Sequence, residues 1–363
     1  MLNSALITFS NITASVLHGV RHVKPLRSND DLRLVFYHGI GDSSSPCFAF
    51  LNDEIPINIF RSHLDILERD YTIMPLEEAI STLEEGNLKY DRPLCSISFD
   101  DGLQSVYTYA FPLLKERGIT GTIFVNTKVV GNRDLLWLHL LNYLMSICGE
   151  RSISELLKEL KPEEVPKPPH TGKALQEWCI ENFNFIYESD VLHNIADAMR
   201  LNVEEIAQKE KLYLNCDQIH EMTKEGFTFY SHTTSHCPLN KISTKFLQKE
   251  IKEARECMLN FGKTFGKFVS FPFGMEKDYG LEAAKYALSC GHDLIFEVGD
   301  GCNSLSNVLN RKVFSRVNLG EVTSTKPAHF YSAIELLPLI KKRLRRYFNS
   351  VNSISKDRGD RCG

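Results

Sequence analysis

The stretch Leu94–Tyr107, LCSISFDDGLQSVY, sets an apolar, strand-like run directly before two adjacent carboxylates, Asp100 and Asp101, and then Gly102. Two carboxylates about 4 Å apart repel by roughly 4 kcal/mol at an effective dielectric near 20, so a shared proton, a basic partner or a metal must offset the charge. A parallel barrel gathers the C-terminal ends of its strands at one mouth, where active sites lie, and a glycine lets the backbone turn sharply there. A solvated turn would account for the DDG triplet alone. Its position at the end of a core strand makes it a candidate site.

Outward from this strand, six further runs have the same character: Leu32–Tyr37 (LRLVFY), Thr120–Val125, Phe227–Tyr230, Lys267–Phe271, Leu294–Val298 and Val313–Val317. They are short apolar runs rather than strict alternations, as expected of strands covered on both faces. Helical patterns fall between them. Gln104–Arg117 puts Val106, Ala110, Leu113 and Leu114 on one stripe and ends at Gly118, and Thr244–Gly262 repeats Leu247, Ile251, Ala254, Met258 and Phe261. Strand and helix in alternation imply right-handed crossovers and a parallel sheet, and seven strands suit an α/β barrel.

Residues 132–214 break the rhythm with helical patterns, no convincing strand, and a Pro-rich break, KPEEVPKPPH, at Lys161–His170. They read as a helical insertion, either an outer decoration or a lid that shapes a substrate groove. The expected organisation is an N-terminal helical segment (1–31), the two parts of a barrel (32–131 and 215–320) around the insertion, and a C-terminal helix and tail (321–363).

Composition narrows the classes. The chain has 363 residues, 43% of them hydrophobic, enough for a large core, and a net charge of −4 that offers no basic field for nucleic acid. Its ten cysteines include no C-x-x-C pair, which favours free thiols in a reducing compartment. Residues 1–16 lack a basic n-region, and their apolar run is broken by polar residues; no run approaches the roughly 18 apolar residues of a spanning helix. The expected location is the cytoplasm.

A second strand end also carries ligand-type side chains. In FTFYSHTTSHCPL (Phe227–Leu239), His232 and His236 stand four apart, a spacing that lets two imidazoles reach one zinc at about 2.0–2.1 Å. His18 and His22 share the spacing but precede every strand and read as an ordinary helix surface. Cys237, beside His236, is not counted among the candidate ligands.

SFDDG (Ser98–Gly102) and SHTTSH (Ser231–His236) together resemble the first two motifs of the polysaccharide deacetylase family, the NodB-homology carbohydrate esterases. SFPFG (Ser270–Gly274) resembles that family's YPFG turn, and VFYHG (Val35–Gly39) its first barrel strand. The resemblance covers roughly 32–131 and 212–320. It implies a distorted (β/α)7 barrel, a divalent metal, usually zinc, held by Asp101, His232 and His236, and Asp100 as general base off the metal. It also implies a backbone N–H near Phe273 as an oxyanion donor and an N-acetylated carbohydrate as substrate.

Two family features have no match. The C-terminal histidine that serves relatives as general acid is missing, which leaves His38, His292 and His329, with His38 nearest the mouth. The arginine of the third motif is also missing, and Arg316 in FSRVNL could enter the site from the last strand instead. Lys341, Lys342, Arg343, Arg345 and Arg346 end the helical pattern Tyr331–Phe348, either as a solvated helix end or as a contact with anionic lipid at the inner membrane face carrying a lipid-linked glycan. LLWLHLLNYL (Leu135–Leu144) is similar to relatives that serve surface-polysaccharide synthesis. The reading is therefore a metal-dependent sugar N-deacetylase. The alternatives are an amidohydrolase on a non-sugar, including cyclic, amide, a barrel that only binds glycan, or a purely structural metal.

Overall fold

The computed structural model describes residues 32–51, 54–86, 90–262, 264–304 and 312–336. Seven parallel strands form a closed ring in chain order: β1 (Leu32–Tyr37), β2 (Leu94–Phe99), β3 (Thr122–Val125), β4 (Thr228–Ser231), β5 (Phe268–Ser270), β6 (Leu294–Val298) and β7 (Val313–Asn318), with β7 returning to β1. All seven are the strands expected from the sequence, with ends shifted by two residues at most. The fold is an α/β, distorted (β/α)7 barrel.

The distortion has a local cause. β7 meets β1 only at the upper end, Val35↔Val317 and Phe36↔Asn318, while the short strand Cys302–Asn303 runs antiparallel to the start of β1. Thr72–Ile73 similarly occupies the start of β2, and β3 joins β2 only at Ser98 and Phe99.

Period-2 alternation divides each strand between two cores. Leu32, Leu34, Leu94, Phe124, Tyr230, Phe268, Phe296 and Phe314 form one cluster inside the ring. Helix α2 (Leu76–Glu84) adds Leu76, Ala79, Ile80 and Leu83 to that cluster and so closes the lower end of the barrel. Intervening residues such as Val35, Tyr37, Ile97, Phe99, Ile123, Val125 and Phe229 pack outward on the helices, among them α1 (Ile57–Asp70).

The helix after β2 is not the uninterrupted one that the apolar stripe suggests. Val106–Ala110 form a π turn, in which Phe111 N–H reaches back to Val106 O, before α3 (Phe111–Glu116). Pro112 explains it: proline has no N–H to donate, and its ring clashes with the carbonyl four residues back, so the turn widens.

Between β3 and β4 the chain makes helices α4 (Trp137–Cys148), α5 (Glu150–Leu160), α6 (Gly172–Glu181), α7 (Phe183–Glu188), α8 (Val191–Ala198), α9 (Val203–Glu210) and α10 (Cys216–Lys224). Asn215 opens α10 with a reciprocal capping box to Gln218. After β4 come α11 (Thr244–Phe261) and α12 (Glu276–Ser289), and after β7 the short α13 (Pro327–Tyr331). His329 sits in this last helix. Cys47, Cys95, Cys148, Cys179, Cys216, Cys237, Cys257 and Cys290 are free thiols. No helix among the described residues is long and apolar enough to cross a membrane. The N-terminal segment, the His18/His22 pair and the basic cluster at 341–346 lie outside the described residues.

Candidate active site

Strand register brings the polar residues together at the upper mouth. Tyr37 pairs with Phe99, so His38 and Asp100 emerge side by side; Val125 pairs with Ser231, so Asn126 and His232 do likewise; Ser231 pairs with Val269, which sets His232 beside Ser270. Alternation then points Ser98, Asp100, His232, Ser270 and Arg316 inward, above the apolar lumen. By the same rule Asp101 would point away. Its φ of 68°, followed by 67° at Gly102, places both in the left-handed region and swings the second carboxylate back to the site. A Cβ at position 102 would meet Val125 Cγ1 at 3.1 Å.

The result is a compact cluster. Asp101 Oδ1 lies 3.5 Å from His232 Nε2 and 3.4 Å from His236 Nε2. Two bonds of 2.0–2.1 Å at a tetrahedral angle put ligand atoms about 3.3–3.4 Å apart, so the donors are spaced for a single ion. Asp101 Oδ1 is buried and accepts no hydrogen bond, a costly state that a cation would relieve. His232 Nδ1 is 2.8 Å from Ser270 O, which assigns its proton to Nδ1 and leaves the Nε2 lone pair facing Asp101. Burial lowers the pKa of both imidazoles, to about 4 for His232 with His236 assisting, and to about 3 for His236 with His38 assisting. Both are neutral near pH 7, the form that binds metal. The donor set fits a divalent ion of the zinc type.

The two carboxylates are pushed apart in acidity. Burial raises Asp100, but the charges of Arg316, His232 and His38 and the Arg316 hydrogen bonds outweigh it, so Asp100 stays below the usual carboxylate range. Burial raises Asp101, and the neighbouring Asp100 charge adds to the rise against His38, His232 and Arg316. Arg316 grips Asp100 in a two-pronged pair, with Nη1–Oδ1 and Nη2–Oδ2 both 2.7 Å. It also donates to the hydroxyls of Ser98 and Ser270. Its guanidinium lies between the rings of Phe36 and Phe124, 4.5 and 4.7 Å from their centres.

A family pattern described as polysaccharide deacetylase matches residues 88–292, more than half of the chain and both strand ends of the cluster. The chain belongs to the polysaccharide deacetylase family. The family consists of enzymes acting on amide bonds of N-acetylated carbohydrate, and it is generally metal-dependent. Solved structures agree on the fold. The Streptococcus pyogenes deacetylase PplD, in complex with acetate, superposes with a TM-score of 0.53 at 16% identity over 86% of this chain and 100% of its own. IcaB from Ammonifex degensii gives 0.52 at 17% identity over 84% and 98%, and a polysaccharide deacetylase from Bacillus cereus gives 0.51 at 14% over 84% and 69%. No curated protein matches this sequence.

Within this deacetylase, the other candidates separate clearly. His38 lies close enough for its charge to influence Asp100, Asp101, His236 and His139. Phe273 stands with φ 61° in the turn after β5, its ring 5.1 Å from that of His236. Gly274 follows at φ 69°, where a Cβ would collide with Val298 at 2.2 Å. His292 is buried in the turn before β6, at the end of the barrel opposite the mouth, and His329 lies on α13, whose Phe330 and Tyr331 contact His63 and Asp70 of α1.

Several contacts at the site escaped the sequence reading. Trp137, at the start of α4, donates from Nε1 to His236 O at 2.9 Å, and Asn126 Nδ2 donates to His232 O. Glu250 on α11 accepts from the backbone of the loop between the two histidines. One signal was available: Glu250 falls three residues after Leu247, on the apolar stripe of α11, where a carboxylate needs a buried partner.

Proposed function

We propose that this deacetylase removes the acetyl group from an N-acetylated sugar of a glycan or glycan precursor in a metal-dependent hydrolysis. The proposed setting is cytoplasmic surface-polysaccharide synthesis. The observation that carries the chemistry is the convergence of Asp101, His232 and His236 at 3.4–3.5 Å, with Asp100 held beside them by Arg316. Asp101, His232 and His236 are the proposed holders of a divalent ion, zinc by the donor set. When bound, the ion would supply a Lewis acid for the acetamide carbonyl and lower the pKa of water.

The chain's own groups do the rest. Asp100 takes the proton of the attacking water as its oxygen adds to the acyl carbon. Arg316 occupies one lone pair on each Asp100 oxygen and leaves a second on each, so the pairing orients the base without blocking it. The backbone N–H of Phe273 is the proposed donor to the oxygen that gains negative charge. Cleavage of the C–N bond releases an amine that must gain a proton, and His38, beside Asp100 in the register, is the proposed donor. The products are acetate and a free amino sugar; acetate is also the molecule bound to the Streptococcus pyogenes neighbour. The cluster Lys341–Arg346, outside the described residues, is the proposed contact with anionic lipid or a lipid-linked glycan.

The test of metal dependence is removal and return. Chelation should abolish acetate release from an N-acetylated oligosaccharide, and zinc should restore it. Full activity after exhaustive chelation would overturn the metal-dependent reading.

A further inference from the structure

His232 and His236 are joined by a loop that the backbone does not adopt readily. Thr233 and His236 have φ of 66° and 59°, and neither is glycine. The left-handed region is unfavourable for a residue with a Cβ, so the surroundings must over-determine the conformation. Part of the hold comes from the barrel: Thr127 N–H donates to Thr233 O at 3.2 Å and Lys128 N–H to Thr234 O at 3.1 Å.

Trp137 and Asn126 hold the carbonyls of His236 and His232, and the middle of the loop is held by one buried carboxylate behind it. Glu250 on α11 has 0% exposure. Its Oε2 accepts from Thr234 N–H at 3.1 Å and Ser235 N–H at 2.8 Å, and its backbone carbonyl accepts from the Thr234 hydroxyl at 3.1 Å. Its Oε1 accepts from Tyr187 on α7 of the insertion at 2.6 Å. The Tyr187 ring is held in turn by Phe183 and Phe246, with ring centres 5.6 and 5.5 Å away. Glu250 forms no ion pair among the described residues. A buried carboxylate without a counter-charge is costly unless its lone pairs accept hydrogen bonds, and here three of them do, from two loop amides and one hydroxyl.

We propose that Glu250, steadied by Tyr187, is a positioning residue for the metal ligands. It locks residues 233–235 so that the two imidazoles stay spaced for one ion. On this proposal the helical insertion braces the ligand loop from behind through Tyr187. The inference rests on the metal reading of Asp101, His232 and His236. Its test is zinc binding itself, measured on the full chain without substrate.

Competition with a chromogenic chelator would give the zinc affinity of wild type, Glu250→Gln, Tyr187→Phe, the double variant and Glu256→Gln. Glu256 is exposed on the same helix and serves as the charge control. Loss of an outer partner of a metal ligand weakens binding by about 10- to 100-fold. Glu250→Gln is expected in that range and Tyr187→Phe several-fold, with Glu256→Gln unchanged. The double variant should be no weaker than Glu250→Gln, because both act through one carboxylate.

Circular dichroism of the metal-free proteins separates weakened binding from unfolding. If Glu250→Gln fails to fold, Tyr187→Phe decides, since it removes a single hydroxyl. Affinities within twofold of wild type in both folded variants would overturn the brace and leave the metal reading intact. An equal loss in Glu256→Gln would overturn it as well. A wild type that binds no zinc would overturn the metal reading and this inference together.

Discussion

Asp100 and Asp101 are neighbours in the chain and opposites in environment. Asp100 meets a guanidinium on both oxygens, whereas Asp101 Oδ1 is buried with no hydrogen bond and two neutral imidazoles within 3.5 Å. The arrangement suits one carboxylate to proton transfer and the other to a cation. Arg316 governs the first. Its removal should let burial raise the Asp100 pKa, so the acid limb of the pH–rate profile should move to higher pH. Arg316→Met is expected to lower kcat by about 10²-fold, with the deficit larger at pH 5 than at pH 8. It should also destabilise the fold by about 3–5 kcal/mol, since it strands a buried charge. A uniform loss with an unshifted profile would contradict the role. Asp100, Asp101, His232 and His236 could be picked out of the sequence because each lies at or just past a strand end. Arg316 could be named only as a candidate, because its pairing with Asp100 spans 216 positions and follows from barrel closure alone.

At the scale of elements, the strands were the most legible feature, since short, mainly apolar runs of about four to six residues between helical patterns have few other homes in an α/β chain. The helices were legible in their apolar stripes but not in their irregularities: Pro112 was in plain view, yet the π turn ahead of it was not inferred. The insertion was legible as helical, while its contact with the site was not, because Trp137 and His236 are 99 positions apart. Trp137→Phe keeps a ring against Phe183 and Phe273 but removes the donor to His236 O. Zinc affinity should fall by up to about tenfold, with a stability loss of about 1–2 kcal/mol. Unchanged zinc affinity would show that α4 packs beside the site without supporting it.

Over the whole molecule, the barrel gathers polar groups at its mouth and buries other titratable groups elsewhere. His63 on α1 is fully buried beside Tyr37 and Phe330, and burial lowers its pKa to about 4 against backbone hydrogen bonds to Ser324 and Val322. His139 and His292 are also buried and held near 3 and 4, chiefly by burial. In the unfolded chain each takes a proton below about pH 6.5, whereas the folded protein resists protonation until much lower pH. Their contribution is therefore complete above pH 6.5 and is lost as pH falls toward 4. One such group weakens the fold by about 2 kcal/mol between pH 7 and pH 5. Denaturant unfolding of His63→Gln should show a pH dependence smaller than wild type by about that amount, and identical slopes would contradict the account. The central claim, a deacetylase with Asp100 as base beside a metal, is tested most directly by acetate release from N-acetylated oligosaccharides, with wild type and Asp100→Asn compared at measured zinc content. The account predicts acetate from zinc-loaded wild type and a loss of at least about 10²-fold in a variant that still holds zinc. Acetate from neither protein with zinc bound in both, or equal rates from the two, would contradict it.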